Sequence, residues 1–194
     1  MHDPDDAQRR RGRLKAFFIL LVCAAPTIAA YLAYYVWPPS GRVNYGELIE
    51  PRPAPQTRLA GSDGKPFTLG ELRGKWLMVT FDEAACADAC AKKLFDMRQS
   101  RLAQGREMDR IERVWVLLDD GTPSAELARL TEGVHVARGK GTDVMAGFPA
   151  PESVRDHVYL VDPLGNVMLR FPRDADPRRM MKDLQRLLKV SRVG

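Results

Sequence analysis

The stretch Asp82-Glu-Ala-Ala-Cys86-Ala-Asp-Ala-Cys90 decides the fold of this chain, because it joins a predicted buried strand to a predicted helix. The run before it, Trp76-Leu-Met-Val-Thr-Phe81, is short and rich in apolar, β-branched and aromatic residues, which is typical of a buried strand. From Cys90 to Gln104 apolar residues recur at helical spacing, and Gly105 marks the end of the predicted helix. The two cysteines are therefore predicted at the junction between a strand end and a helix N-terminus.

The position of Cys86 and Cys90 indicates what they can do. Unpaired amide groups and the positive end of the helix dipole stabilise a thiolate at a helix N-terminus. Two thiols at such a place can exchange a disulfide or hold a soft metal ion. The alternative is a disulfide that only stiffens the turn, but closing so small a loop removes little chain entropy. We therefore interpret the pair as functional. Asp82 and Glu83 either carry protons or raise a thiol pKa, or they only shape and solvate the turn, and the sequence leaves both interpretations open.

The elements that follow the cysteines indicate the fold class. They are predicted as a strand at 111–118, a helix at 123–130, a strand at 134–137, a loop at 139–152, a hairpin at 158–171 and a helix from Pro177. Strands separated by crossover helices imply parallel pairing, and the hairpin adds an antiparallel edge. This order predicts a thioredoxin-like α/β sandwich, which is a central mixed sheet flanked by helices.

An apolar segment near the N-terminus predicts a membrane anchor. Residues 16–37 form an apolar run interrupted only by Pro26 and Thr27, and its length suits one transmembrane helix. Tyrosines and Trp37 collect at its far end, as at a membrane interface. A cleaved signal peptide is the rival interpretation, but its apolar region is usually shorter and ends in small residues. We therefore favour a retained anchor.

The charges flanking the apolar run predict its orientation. A basic cluster precedes the run, which places the N-terminus in the cytoplasm and the rest of the chain outside. In a bacterial cell this arrangement is a single-pass inner-membrane protein with a periplasmic domain. Cys86 and Cys90 are the only cysteines outside, where an oxidising compartment permits a disulfide, whereas Cys23 lies inside the anchor. Elsewhere the charges are mixed in sign, so the net charge of +5 predicts no nucleic-acid partner.

These observations divide the chain into four parts. We predict a basic cytoplasmic tail without fixed structure at 1–15, the anchor at 16–37, a Pro-rich extended spacer at 38–57 and the globular domain at 58–194.

Four features of the globular part carry a family resemblance: Gly64-Lys-Pro-Phe-Thr-Leu69, Gly74-Lys-Trp-Leu-Met-Val-Thr-Phe81, the three-residue spacing of Cys86 and Cys90, and Tyr159-Leu-Val-Asp-Pro-Leu-Gly165. In these features the chain resembles the Sco/SenC family, whose members assist copper insertion into cytochrome c oxidase. The resemblance covers residues 58–190 and includes the single N-terminal membrane helix. The resemblance implies a thioredoxin-like fold in which two cysteines and one later histidine bind Cu(I). Two thiolates also select Cu(I) over hard ions.

This chain departs from the family pattern around both kinds of ligand. Alanine follows each cysteine where the family has proline, and Val154 stands where the family has its histidine. His157 is our candidate third ligand, because Asp156 beside it could hold its ring. His135 is the alternative, although its alternating neighbours predict a strand that points it outward. We interpret the chain as a divergent member of the family.

Three functions remain open at this point. The first is a membrane-anchored assembly factor that binds Cu(I) through Cys86, Cys90 and His157 and passes it to the copper-site domain of a cytochrome c oxidase subunit. The second is a metal-independent thiol–disulfide oxidoreductase in which Cys86 attacks a client and Cys90 resolves the mixed disulfide. The third is a membrane-tethered assembly factor without chemistry. The predicted partners are the oxidase subunit and either another copper chaperone or a thiol reductant.

Overall fold

The computed structural model describes residues 4–36, 44–62 and 64–191, and the chain divides into two compact units, Met1–Val43 and Asn44–Gly194. The first unit contains helix α1 (Pro4–Val36). Its segment Gly12–Val36 is long and apolar enough to cross a membrane.

The predicted unstructured tail at 1–15 differs from the structure, since α1 already begins at Pro4. Proline suits the first turn of a helix, and the arginines, leucine and lysine that follow are good helix formers. Trp37, the predicted last residue of the anchor, lies outside the described residues, as does the first part of the predicted spacer, residues 38–43.

The second unit is built on an eight-stranded mixed sheet. Its strands are β1 (Glu47–Pro53), β2 (Leu59–Gly61), β3 (Pro66–Phe67), β4 (Trp76–Asp82), β5 (Ile111–Leu117), β6 (Val134–Arg138), β7 (Val158–Val161) and β8 (Asn166–Arg170). The helices of this unit are α2 (Asp88–Leu102), α3 (Ala128–Thr131) and α4 (Pro177–Val190). Side chains of α2 and α4 pack on one face of the sheet. The thioredoxin-like fold class predicted from the sequence is confirmed.

The strand order is β1-β8-β7-β4-β5-β6-β2-β3. Strands β4, β5 and β6 pair in parallel, as the crossover helix predicted, while β7 pairs antiparallel with β4 and β8 with β7. The hairpin was expected at an edge of the sheet, and this was wrong. Strand β1, which lies inside the predicted spacer, pairs with β8 and covers it. Its prolines suit that position, because an edge strand has one side that needs no amide donors.

The helix predicted at 123–130 is also shorter than expected, since only α3 is helical there. Leu127 is the buried anchor of this stretch, and short helices with little apolar surface to bury are marginal in water. By contrast, every residue of β4 is buried, so the strand that leads to the cysteines is held on both faces.

Candidate functional site

Cys86 and Cys90 form a disulfide, with their Cα atoms 5.1 Å apart. Cys86 lies in the turn between β4 and α2, where its N–H donates to the carbonyl of Glu83 at 3.1 Å. Cys90 lies in the first turn of α2, and its N–H donates to the carbonyl of Ala87 at 2.8 Å. The predicted strand-to-helix position of the pair is therefore what the structure has. Both cysteines are buried, with Cys86 8% exposed and Cys90 2%.

The turn that carries Cys86 is held from the side by the loop after β5. Cys86 has a φ of +43°, a left-handed conformation that is unfavourable for a residue with a side chain. The N–H of Ala84 donates to the carboxylate of Asp119 at 3.0 Å. Gly121 packs so closely that an added Cβ would lie 2.7 Å from that of Ala84. These contacts fix the strained turn. The sequence did not predict this role for Asp119; its one signal was the Asp-Asp-Gly run that begins one residue after β5.

Apolar side chains form the floor beneath the disulfide. Both cysteines pack in one buried cluster with Leu94, Trp115 and Leu117. Trp115 is fully buried. The sulfur atoms therefore rest on a dry surface, and chemistry at the disulfide must proceed from its outer side.

A network of charged side chains lies beside the cysteine turn. The carboxylate of Asp82 binds Lys93 at 3.0 Å and Arg155 at 2.7 Å, and Arg155 also binds Glu83 at 2.8 Å. Lys93 Nζ also donates to the backbone carbonyl of Arg155. The network therefore joins the end of β4, the first half of α2 and the loop before β7. Lys93 and Arg155 were not predicted from the sequence, although Lys93 is a cation on the apolar side of the predicted helix.

Burial and ion pairing shift the pKa values of Asp82 and Lys93 in opposite directions. Burial raises the pKa of the Asp82 carboxyl, but the charges and hydrogen bonds of Lys93 and Arg155 outweigh it and hold that pKa below its ordinary value. Burial lowers the pKa of the Lys93 ammonium group, and Asp82 opposes this only in part. The hydrogen bond to Asp82 raises the pKa of Arg155. Asp82 is therefore ionised at neutral pH and is a weak proton acceptor, which favours the structural interpretation of this carboxylate.

A cleft of about 360 Å³ opens next to the network. Cys90 lines it together with Asp82, Lys93 and Arg155, and the loop after β8 forms its far wall. Charged side chains therefore border the open space beside Cys90.

His157 is buried at the start of β7, and its ring is engaged elsewhere. Ring nitrogen Nδ1 donates to the carbonyl of Phe171 at 2.8 Å, and the ring lies edge-on to Tyr159. His157 does not line the cleft beside Cys90. Within the part of the chain that the structure describes, no group of three or more His, Cys, Asp or Glu side chains is arranged to hold a metal ion. The structure thus does not gather His157 and the cysteines into one group, and its role as a ligand stays a prediction.

The alternative ligand, His135, lies on β6. Its ring stacks on Phe67, and Nε2 lies 3.3 Å from a carboxylate oxygen of Glu112. Val154, at the family's histidine position, opens a single helical turn at Val154–Asp156 that Ser153 caps. That turn carries Arg155 into the charged network.

Comparison with known proteins agrees with this architecture. Residues 76–191 match the family model of a transmembrane-like, thioredoxin-like, C-terminal domain. No curated protein sequence matches the chain.

Solved structures with this fold include several Sco proteins. Apo Sco1 from Thermus thermophilus is 19% identical, with 76% of this chain and 99% of that chain covered and a TM-score of 0.56. Copper-bound ScoI from Bradyrhizobium japonicum is 21% identical, with 71% and 99% covered and a TM-score of 0.52. Copper-bound yeast Sco1 is 18% identical, with 78% and 96% covered and a TM-score of 0.56. The predicted resemblance to Sco proteins is confirmed at the level of the fold.

Proposed function

The chain belongs to the family of transmembrane-like, thioredoxin-like C-terminal domains, and we propose that it is a membrane-anchored thiol–disulfide exchange protein for the assembly of cytochrome c oxidase. The observation that carries this proposal is the Cys86–Cys90 disulfide at the N-terminus of α2, beside an open cleft. A pair at a helix N-terminus favours the thiolate that exchange requires. The assumed setting is the periplasmic side of the inner membrane, with the copper-site domain of an oxidase subunit as client.

Exchange proceeds in two balanced steps. The Cys86 thiolate attacks one sulfur of a client disulfide, whose S–S bond breaks and whose second sulfur leaves as a thiolate. The Cys90 thiolate then attacks the Cys86 sulfur, which releases the client dithiol and closes the Cys86–Cys90 disulfide. Two electrons pass from this protein to the client, so a thiol reductant must restore the pair between rounds.

A single-turnover experiment tests this function. The full chain is reduced in detergent and mixed with an oxidised two-cysteine peptide of the oxidase copper site. Free thiols are then alkylated, and mass spectrometry of the protein and the peptide counts the alkylated cysteines in each. We expect one client disulfide reduced for each Cys86–Cys90 disulfide formed. If both partners keep their starting thiol content over hours, the exchange function is wrong, and copper delivery or an assembly factor without chemistry remains.

Delivery of Cu(I) as cargo is the second candidate, supported by the copper-bound Sco structures that share this fold. Reduced Cys86 and Cys90 supply two soft sulfur ligands, which suit Cu(I). The hydrogen bond that His157 makes through Nδ1 leaves Nε2 as the ring nitrogen able to accept a metal. A third ligand from His157 would require its surroundings to rearrange, because the described residues do not gather it with the cysteines.

Copper titration separates the two functions. We expect the reduced full chain to hold one Cu(I) against a competing chelator and the oxidised chain to hold none, since its sulfurs are joined. Cys86→Ser should weaken Cu(I) binding by at least about 100-fold, because a soft ligand is lost. His157→Gln tests the third ligand, and we expect about a 10-fold loss. An unchanged affinity in that variant would remove His157 from the site, and no retention by the reduced chain would remove copper delivery altogether.

A further inference from the structure

Helix α4 has a basic outer face that plays no part in the cysteine chemistry. Its buried side chains Met180, Leu184 and Leu188 pack in the core. On the other side, the exposed cations of the helix are Arg178, Arg179, Lys182, Arg186 and Lys189. At about 100° per residue these five side chains fall within an arc of roughly 100°. The cations thus form one continuous stripe along the helix.

This face carries no carboxylate of its own that reaches solvent. The one acidic residue within Pro177–Val190 is Asp183, which is 2% exposed. Its Oδ2 accepts a hydrogen bond from the N–H of Gly46 at 2.8 Å, and Oδ1 lies 3.8 Å from Arg186. Asp176 lies just before the helix and caps its N-terminus. Helix α2 differs, because its cation Lys92 is paired with Asp96 one turn on. The charged side chains that the helix itself exposes are therefore all positive.

The chain enters the second unit beside this helix. Tyr45 accepts a hydrogen bond from the N–H of Asp176 at 2.9 Å, and the guanidinium of Arg179 lies 4.0 Å from the centre of the Tyr45 ring. The hydrogen bond from Gly46 to Asp183 fastens the next residue to the same helix. Only residues 37–44 separate Tyr45 from the end of α1 along the sequence. Tyr45 and Gly46 therefore hold the start of the second unit against α4, just before β1 joins the sheet.

We propose that the basic face of α4 binds the anionic phosphate head groups of the membrane that α1 spans. Each Lys or Arg near an anionic lipid surface adds attraction, and the sum depends on salt. The proposal rests on the membrane anchor and not on the thiol chemistry. Such docking would hold the second unit in one orientation above the bilayer.

Lysine footprinting of the full chain in nanodiscs tests this docking. One set of nanodiscs contains only zwitterionic phosphatidylcholine, and the other contains an equal share of anionic phosphatidylglycerol. We expect acetylation of Lys182 and Lys189 to slow by at least about 5-fold in the anionic discs. Lys65 and Lys140, which are exposed on other elements, serve as internal controls and should react equally in both. At about 1 M salt, where the screening length is about 3 Å, the protection should vanish.

Matched variants separate charge from other causes. Arg178→Gln with Lys182→Gln removes two cations of the stripe, and Lys189 should then lose its protection. Arg106→Gln with Lys140→Gln removes two exposed cations elsewhere and should leave Lys189 protected. Cys86→Ser should also leave it protected, so a failure of the exchange function does not affect this test. Equal acetylation in both kinds of disc would overturn the proposal, as would protection that appears only after an acidic protein client is added.

Discussion

Replacing Cys86 by serine will lower the rate of disulfide exchange with a client peptide by at least about 10³-fold, because a serine hydroxyl cannot take the place of an attacking thiolate. Cys86 is assigned this role because it precedes the first turn of α2 and is the more exposed residue of the pair. Replacing Cys90 by serine will have a different effect. The first step will proceed, and the mixed disulfide between Cys86 and the client will accumulate. Non-reducing electrophoresis followed by mass spectrometry measures both outcomes.

Cys23→Ser is the matched control, since this cysteine lies in α1 and we expect exchange to be unchanged. The reverse order of attack, in which Cys90 attacks the client first, is also testable, because Cys90 rather than Cys86 lines the cleft. If Cys86→Ser accumulates the mixed disulfide and Cys90→Ser abolishes exchange, the order of attack is the reverse of the one assigned here. Exchange at the full rate in both variants would show that the chemistry lies outside this pair.

The features that the sequence predicted well are those with local signals. Strand β4 is an uninterrupted apolar run, so its burial could be predicted without knowing its neighbours. The turn between β7 and β8 contains Gly165 at a φ of +92°, and glycine adopts that conformation without the cost a side chain would add. The junction that carries the cysteines directly follows β4 and leads into α2, which is why the sulfur pair could be placed from the sequence.

The features that the sequence did not predict depend on contacts between distant parts of the chain. Strand β1 is rich in proline and was interpreted as a spacer, and only its pairing with β8 makes it part of the sheet. Asp82 and Arg155 are far apart in sequence, and nothing near either residue indicates the ion pair. The hydrogen-bond partner of the His157 ring is the carbonyl of Phe171, which lies directly after β8. In each case the contact is made by a residue or strand that is distant in sequence and is brought close only by the tertiary fold.

The charged network beside the cysteines is also where we expect the largest loss of stability. Asp82→Ala will lower the free energy of unfolding by about 3 kcal/mol at neutral pH, because it leaves the Lys93 ammonium group without its carboxylate. The side chains of Asp82 and Lys93 are only 10% and 15% exposed, so water cannot fully replace the lost partner. The side chain of Arg155 is more exposed than that of Lys93, so its ion pair with Asp82 contributes less to the free energy of unfolding. Denaturant unfolding of the full chain in detergent, followed by the fluorescence of buried Trp76 and Trp115, measures the change.

The pH dependence and a second variant identify the cause of that loss. Because the pKa of Asp82 is held below its ordinary value, its stabilising effect is fully present above the unfolded value of about 3.9 and disappears as the pH falls through the lower folded pKa. The difference in the free energy of unfolding between the wild type and Asp82→Ala should therefore become smaller at acidic pH. Adding Lys93→Met to Asp82→Ala removes the stranded cation, so the double variant should be more stable than Asp82→Ala alone. A double variant that is no more stable, or a difference that stays constant down to the lowest pH at which the chain folds, would mean that Asp82 acts through packing and not through its charge.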